Sequence, residues 1–408
     1  MAREPIFYGW WMVAACLLAA LVGNALGLFG AGVYLHAVVM ANGWPIALIS
    51  GAVTLFYVVS AVLLIPIGSG IRRFGPRLTI GLGGIALALG VAGIGQATSP
   101  WQVYVAFLFM GIGWACLSTT AIATTLAPWF ERYQGRAVSL ASLGASAGGM
   151  VSAPMLLLGI RDIGFGPTTM IAGATALAVL LPLAAFVLRN RPQDMGLLPD
   201  GMPPTGTAPP GGAPRWTRRT ALRTTALRSV VVTFGIGMMV QIGFLTHQVA
   251  FLAQSLGTFE VSMTVTATAI AALVGRIVLA RFADQIDVRI TTAAALLLAA
   301  CSFTAMGLVP EPAMLVCGSI AFGLTVGNVT TLSPIIVRRE FGSASFGAIF
   351  GVASCGIQLV TAVGPSFYGL LRDAFGGYHI ALILAAALDI LAAGVIVRGG
   401  RVPLHPPA

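Results

Sequence analysis

Leu273-Val274-Gly275-Arg276-Ile277-Val278-Leu279-Ala280 sits within an apolar run from about Met263 to Ala283, in which Arg276 is the one charge before Arg281 and Asp284 mark the far end. The run has the roughly 20 residues that a helix needs to cross a bilayer. A guanidinium at that depth costs about 2.5 to 3.5 kcal/mol on insertion scales. Arg276 is therefore expected to face a polar interior with an anionic partner. That partner is either a bound ligand or a carboxylate of a neighbouring helix.

The rest of the composition agrees with a membrane setting. Of 408 residues, 58% are hydrophobic and 8% charged, with a mean hydropathy of +0.94, which excludes a soluble globule. All 22 cations are arginine and the net charge is +10. Cys16, Cys116, Cys301, Cys317 and Cys355 all fall in apolar segments, are odd in number and lack metal-ligand spacing. Neither a disulfide framework nor a zinc site is expected, and no cofactor is implied. The first apolar run, from near Trp10 to about His36, is longer than a signal-peptide core and is expected to be a retained helix.

Twelve spans are expected, at about 10–36, 46–70, 77–97, 101–127, 136–160, 167–189, 226–254, 262–283, 290–308, 313–337, 345–371 and 378–397. Alternate connections, together with both ends and the middle linker, hold 19 of the arginines. The opposite side holds only Arg161 and Arg372. Short cytoplasmic loops collect arginine, so both termini are expected in the cytoplasm. The basic excess thus follows from topology, and no nucleic-acid partner is needed to explain it. Asn190 to Pro214 is rich in proline and glycine and reads as a linker. Trp216, Arg218, Arg219, Leu222, Arg223 and Arg228 after it have the composition of a short basic helix at the headgroups or of a disordered tether.

The two sides of this linker repeat each other. Leu126-Ala127-Pro128 followed by arginines and a small-residue helix recurs as Leu332-Ser333-Pro334, Arg338-Arg339 and a second such helix. Gly68 to Arg77 likewise corresponds to Ala280 to Arg289. Such symmetry predicts an all-α transporter of two pseudo-symmetric six-helix bundles with a midplane site. The expected divisions are a bundle at 1–189, a linker with a short basic helix at 190–225, a bundle at 226–398 and a tail at 399–408. Gly23 and Gly27, Gly144 and Gly148, and Gly347 and Gly351 each place two glycines on one helix face, where another backbone can approach.

The stretch Gly68-Ser69-Gly70-Ile71-Arg72-Arg73-Phe74-Gly75-Pro76-Arg77 resembles the loop motif of the major facilitator superfamily between helices 2 and 3. The second copy, Ala280 to Arg289, keeps the family's aspartate as Asp284, whereas the first has Arg72 there. Gly68, Arg72, Arg73, Arg77 and Asp284, with Arg132 and Arg136 of the next arginine loop, are the candidate gating residues. Tyr8-Gly9-Trp10-Trp11, Trp129-Phe130-Glu131-Arg132 and Arg191 to Leu197 with Pro199-Asp200-Gly201 are similar to the monocarboxylate transporter and oxalate/formate antiporter group. Together these span the first half, Gly275-Arg276 extends the likeness into the second, and the whole set resembles the bacterial lactate-transporting homologues of the monocarboxylate transporters. The resemblance implies a monomeric, multi-pass carrier of the bacterial cytoplasmic (inner) membrane. It moves a small monocarboxylate with a proton by alternating access, and its eighth-helix arginine binds the carboxylate.

A guanidinium presents paired donors to a planar carboxylate, so residue chemistry reaches the same assignment for Arg276. A dicarboxylate favours a second intramembrane cation, but Val352 to Gln358 has none where the antiporters carry a lysine. Around Arg276 the superfamily's cavity helices place Asn24, Asn328 and Gln358 as hydrogen-bonding groups and Leu28, Leu143 and Phe350 as walls of an apolar slot. Ser118 and Thr119 stand where relatives often have a tyrosine, and Cys355 lies beside Gln358. Ordinary helix packing is the competing role for each.

Proton coupling points to His247, deep in the seventh span, because a histidine exchanges protons near neutral pH. A hydrogen-bonded structural histidine is the other reading. The acid that the animal members are expected to carry one turn before the arginine is replaced by Ala272. Asp389, in the usually peripheral twelfth helix, is expected to be structural or lipid-adjacent, with pairing to Arg276 as the alternative. No nucleophile-and-base pair or metal cluster indicates an enzyme. An oxalate/formate-type exchanger and a non-transporting anion receptor remain the other classes.

Overall fold

The computed structural model describes residues 7–201, 216–282 and 287–400. Asp284, linker residues 202–215 and tail residues 401–408 lie outside the described residues. Among those described, every regular element is helical, and twelve helices are long and apolar enough to cross a membrane. In chain order these are α1 Gly9–Asn42, α2 Ile46–Phe74, α3 Pro76–Ile94, α4 Pro100–Leu126, α5 Gln134–Ile163 and α6 Phe165–Val187. Then come α7 Thr225–Leu252, α8 Thr258–Phe282, α9 Val288–Leu308 and α10 Pro312–Phe341. The last two are α11, in two segments Ser343–Thr361 and Gly364–Phe375, and α12 His379–Arg398. The twelve expected spans are all present.

Their ends differ where local chemistry overrides hydropathy. α1 runs on past His36 to Asn42, where Gly43 at φ +67° turns its N–H onto the Val39 carbonyl (2.8 Å). That left-handed cap suits glycine. Several spans are not continuous α-helix. Asn24–Leu28 of α1, Pro154–Leu158 of α5 and Leu183–Val187 of α6 are π-helical turns, the latter two starting at or just after a proline. Proline has no N–H to offer the preceding turn, which loosens the ladder. In α4 the helix stops at Cys116 and restarts at Thr119. There the Ser118 hydroxyl caps the new segment by accepting from the Ala121 N–H (3.3 Å).

The chain divides into two compact units, Met1–Trp44 with Leu55–Thr207, and Pro45–Thr54 with Ala208–Ala408. In the first unit α1 and α5 touch backbone to backbone. A Cβ at Gly144 would strike the Leu17 carbonyl, and one at Gly148 the Leu21 carbonyl. The Gly351 position of the third glycine pair instead meets nothing within 4 Å, so no close approach uses it. In the second unit Phe234, Leu296, Val329, Ile336, Ile357 and Ile396 share one apolar core. The first turns of α2 join this unit through the Ala47 N–H, which donates to Asp373 Oδ2 (2.7 Å). The short helix Arg218–Arg223 also belongs here. Trp216 before it is buried edge-on against Phe341 and donates its N–H to Ser345 Oγ (2.9 Å).

Each unit holds one repeat arginine in the same way. Arg77 donates to the carbonyls of Ala184 (3.2 Å) and Ala185 (2.6 Å) at the end of α6. Arg289 donates to the Ile396 carbonyl (3.0 Å) at the end of α12. A cation at a helix C-terminus meets the unsatisfied carbonyls and the negative end of the dipole. Arg289 also forms a two-pronged ion pair with Glu340 of α10 at 2.7 and 3.0 Å.

Candidate functional site

Arg276 lies on the inward side of α8. Val274, Ile277 and Val278 on the other sides are 45%, 60% and 52% exposed, whereas Arg276 is half-buried beside α10. Glycine sets that placement. A Cβ at Gly275 would strike the Leu324 carbonyl, and one at Gly327 would strike the Ala272 carbonyl and come within 3.1 Å of Arg276 Cβ. The two helices therefore meet without intervening side chains, and the guanidinium stem leaves α8 against α10. Asn328 follows Gly327, its Nδ2 donating to the Leu324 carbonyl (3.1 Å) while its Oδ1 is buried without a hydrogen-bond partner.

The other candidates of the second unit are spread along α7 and α11. Gln358 is half-buried, Cys355 is exposed, and Phe350 stacks on Phe346 at 5.2 Å against the unit's core. His247 is completely buried. Its Nδ1 bonds the Tyr378 hydroxyl (2.9 Å), and its Nε2 faces the Pro365 carbonyl (2.9 Å) and Ser50 Oγ (3.2 Å). Tyr378, in the connection before α12, has its hydroxyl pKa raised by burial. The ring thus ties α7 to α11, to the connection before α12 and to the first turns of α2.

The lipid-adjacent position expected for Asp389 is not what the fold builds. The carboxyl is 1% exposed, lies close to Gly237 of α7, and forms no ion pair with Arg276 or any other described cation. α12 turns this residue inward because Thr233 of α7 also bonds the Ala392 carbonyl (3.1 Å), drawing the two helices together.

In the first unit Asn24 opens the π-turn of α1, 8% exposed, with its Nδ2 on the Ala20 carbonyl (2.8 Å). Leu28 closes that turn, half-buried. π-turns often mark functional positions. Ser118 and Thr119 form the break in α4, and Leu143 of α5 is 44% exposed.

The motif residues gather at one end of this unit. Arg136 lies 5.7 Å over the Trp10 ring, Trp10 packs on Phe130 at 5.2 Å, and Tyr8 on Trp129 at 5.7 Å. Asp200 Oδ2 accepts from the N–H groups of Glu131 (2.9 Å) and Arg132 (2.7 Å), and the Arg132 guanidinium lies 5.5 Å over the Tyr133 ring. Gly68 is buried, while Arg72 bonds Ser69 (3.1 Å) and Arg73 lies 5.2 Å over Phe74. Arg72 and Arg73 line a cavity of about 450 Å³ with Asn190, Arg191 and Asp194. Asp200 belongs to the Pro199-Asp200-Gly201 motif noted in the sequence, whereas Glu340 is a partner that sequence reading did not single out, its signal being an acid directly after two arginines.

Twelve spans broken at defined turns, repeated halves and an inward arginine define a polytopic membrane carrier. The chain belongs to the major facilitator superfamily, whose model matches residues 13–258. Monocarboxylate transporter 13 of Bos taurus is 27% identical to it, covering 97% of this chain and 90% of that protein. Monocarboxylate transporter 11 of Homo sapiens is 27% identical over 82% of this chain and 71% of its own. A bacterial homologue of the human lysosomal transporter Spinster superimposes with a TM-score of 0.74 at 16% identity, covering 98% of this chain and 100% of that one. The protein is thus a transporter related to the monocarboxylate transporters.

Proposed function

We propose that this transporter carries small monocarboxylates, such as lactate or pyruvate, together with a proton, and that the substrate carboxylate binds Arg276. The observation that carries the reading is Arg276 of α8, half-buried with its Cβ packed against Gly327 of α10, the residue before Asn328. Arginine matches a planar carboxylate with two parallel donors, and charge-assisted pairs of this kind are about twice as strong as neutral hydrogen bonds. Asn328 offers a buried acceptor oxygen that suits the hydroxyl of a 2-hydroxy acid. Gln358 is a second amide on α11. The protein acts as a monomer in a bacterial cytoplasmic membrane.

The test is lactate-dependent proton uptake by proteoliposomes. Wild-type protein takes up protons when lactate is added, and Arg276→Gln abolishes the signal. Undiminished uptake by the variant removes Arg276 from the mechanism. Exchange of the oxalate/formate type is the second reading, and the lack of a cation in Val352 to Gln358 weighs against a dicarboxylate. Counterflow of labelled lactate against unlabelled lactate, pyruvate, formate and oxalate separates these readings, with oxalate expected to fail.

A further inference from the structure

Among the described residues, five buried oxygens of the second unit have no hydrogen-bond partner, and three of them, Asp389 Oδ1 on α12, the Tyr368 hydroxyl on α11 and Gln241 Oε1 on α7, lie on helices packed together. Their residues are 1%, 0% and 4% exposed. Buried polar atoms are nearly always paired, so three together call for an explanation. They converge on one region. A Cβ at Gly237 would lie 4.0 Å from Asp389 Oδ1, Gln241 is one turn further along that face of α7, and the Tyr368 ring packs directly on Gly243 of the same helix.

We propose that Asp389, with Tyr368 and Gln241, is a proton-binding site of the second unit whose loading is linked to substrate transport. This rests on the proton-linked reading above and places the proton away from both His247 and Arg276. The chemistry is one protonation, in which –COO⁻ and H⁺ give –COOH. An ionised carboxyl here has no cation to pair with, and an uncompensated buried charge is costly. The acid form supplies the missing complement. It carries no charge, and its O–H adds a donor to a region whose buried Gln241 Oε1 can only accept.

The remaining titratable and charged groups on the helices packed against α12 are engaged elsewhere. On α7, Arg228 donates to the Leu222 carbonyl and His247 has the partners given above. On α9, Arg289 is held by Glu340, Ser229 and Ile396, and Cys301 is exposed. On α11, Arg372 pairs with Asp373. On α12 itself, His379 bonds the Gly307 carbonyl and Arg398 ends the helix. Tyr368 is the buried titratable side chain of these helices whose hydroxyl has no partner of its own. Release of the proton would put a charge between α7 and α12, so loading favours their close packing.

Full-length wild type, Asp389→Asn and Tyr368→Phe in proteoliposomes provide the test. In Asp389→Asn, lactate accumulation driven by an inward proton gradient is expected to fall about tenfold, while lactate counterflow without a gradient falls far less. Accumulation equal to wild type overturns the proposal, as does an equal fall in both. Infrared pH-difference spectra read the site without any substrate. A carboxylic-acid carbonyl band present in wild type is expected to vanish in Asp389→Asn and to shift its titration midpoint in Tyr368→Phe. The same band in all three proteins overturns the proposal even if Asp389→Asn folds poorly, because Tyr368→Phe keeps the carboxyl. If wild type moves no lactate while the band behaves as expected, the substrate reading fails and the proton site stands.

Discussion

Gly327 shows how a residue with no side chain governs one with a long one. Its missing Cβ lets α10 touch α8 at Ala272 and Arg276. Gly327→Ala is expected to push the arginine stem aside and lower lactate counterflow by an order of magnitude or more, since about 1 Å of misplacement costs roughly 10²-fold in a positioned site. Thermal unfolding of the purified variant separates this from collapse. Overpacking typically costs about 1 to 3 kcal/mol, so the fold is expected to survive. Arg276 itself was legible in the sequence, because a lone charge in an apolar run has few explanations. Gly327 was not, since nothing in its own segment says which helix it meets.

At the scale of elements, the repeat arginines make a graded prediction. Arg77 is exposed and holds two carbonyls, whereas Arg289 is buried and shares its charge with Glu340. Glu340→Gln is expected to cost about 3 kcal/mol or more, because removing one partner of a buried pair leaves the other charge uncompensated. Arg77→Ala should cost about 1 kcal/mol, as for a lost helix cap. Unfolding midpoints in detergent check both. Asp200→Ala frees the N–H groups of Glu131 and Arg132, and faster proteolysis between residues 129 and 136 with unchanged unfolding temperature is the expected result. The helices themselves were readable from hydropathy. Their π-turns and the break at Ser118 were not, since hydropathy averages over a whole span and these are failures of single backbone bonds.

For the whole molecule, the arginine distribution gives a topological prediction. A phosphatase active only outside the cytoplasm should be active when fused after Arg161 and inactive when fused after Arg132, and the opposite pattern would reverse the orientation. The aromatic cluster of Tyr8, Trp10, Trp129 and Phe130 explains why separate motifs in the first half belong together. They share one end of one unit.

The sequence by itself determined the membrane setting, the number of spans, the superfamily and the inward arginine, because each follows from local composition or from repetition along the chain. Tertiary structure alone decided the partners. The partners of His247, namely Ser50, Pro365 and Tyr378, come from three other segments that its own helix does not name. Asp389 could face lipid or protein until α12 was seen to turn it onto α7. Burial and hydrogen bonding depend on which helix faces lie against each other, and the order of residues along a single helix leaves that open.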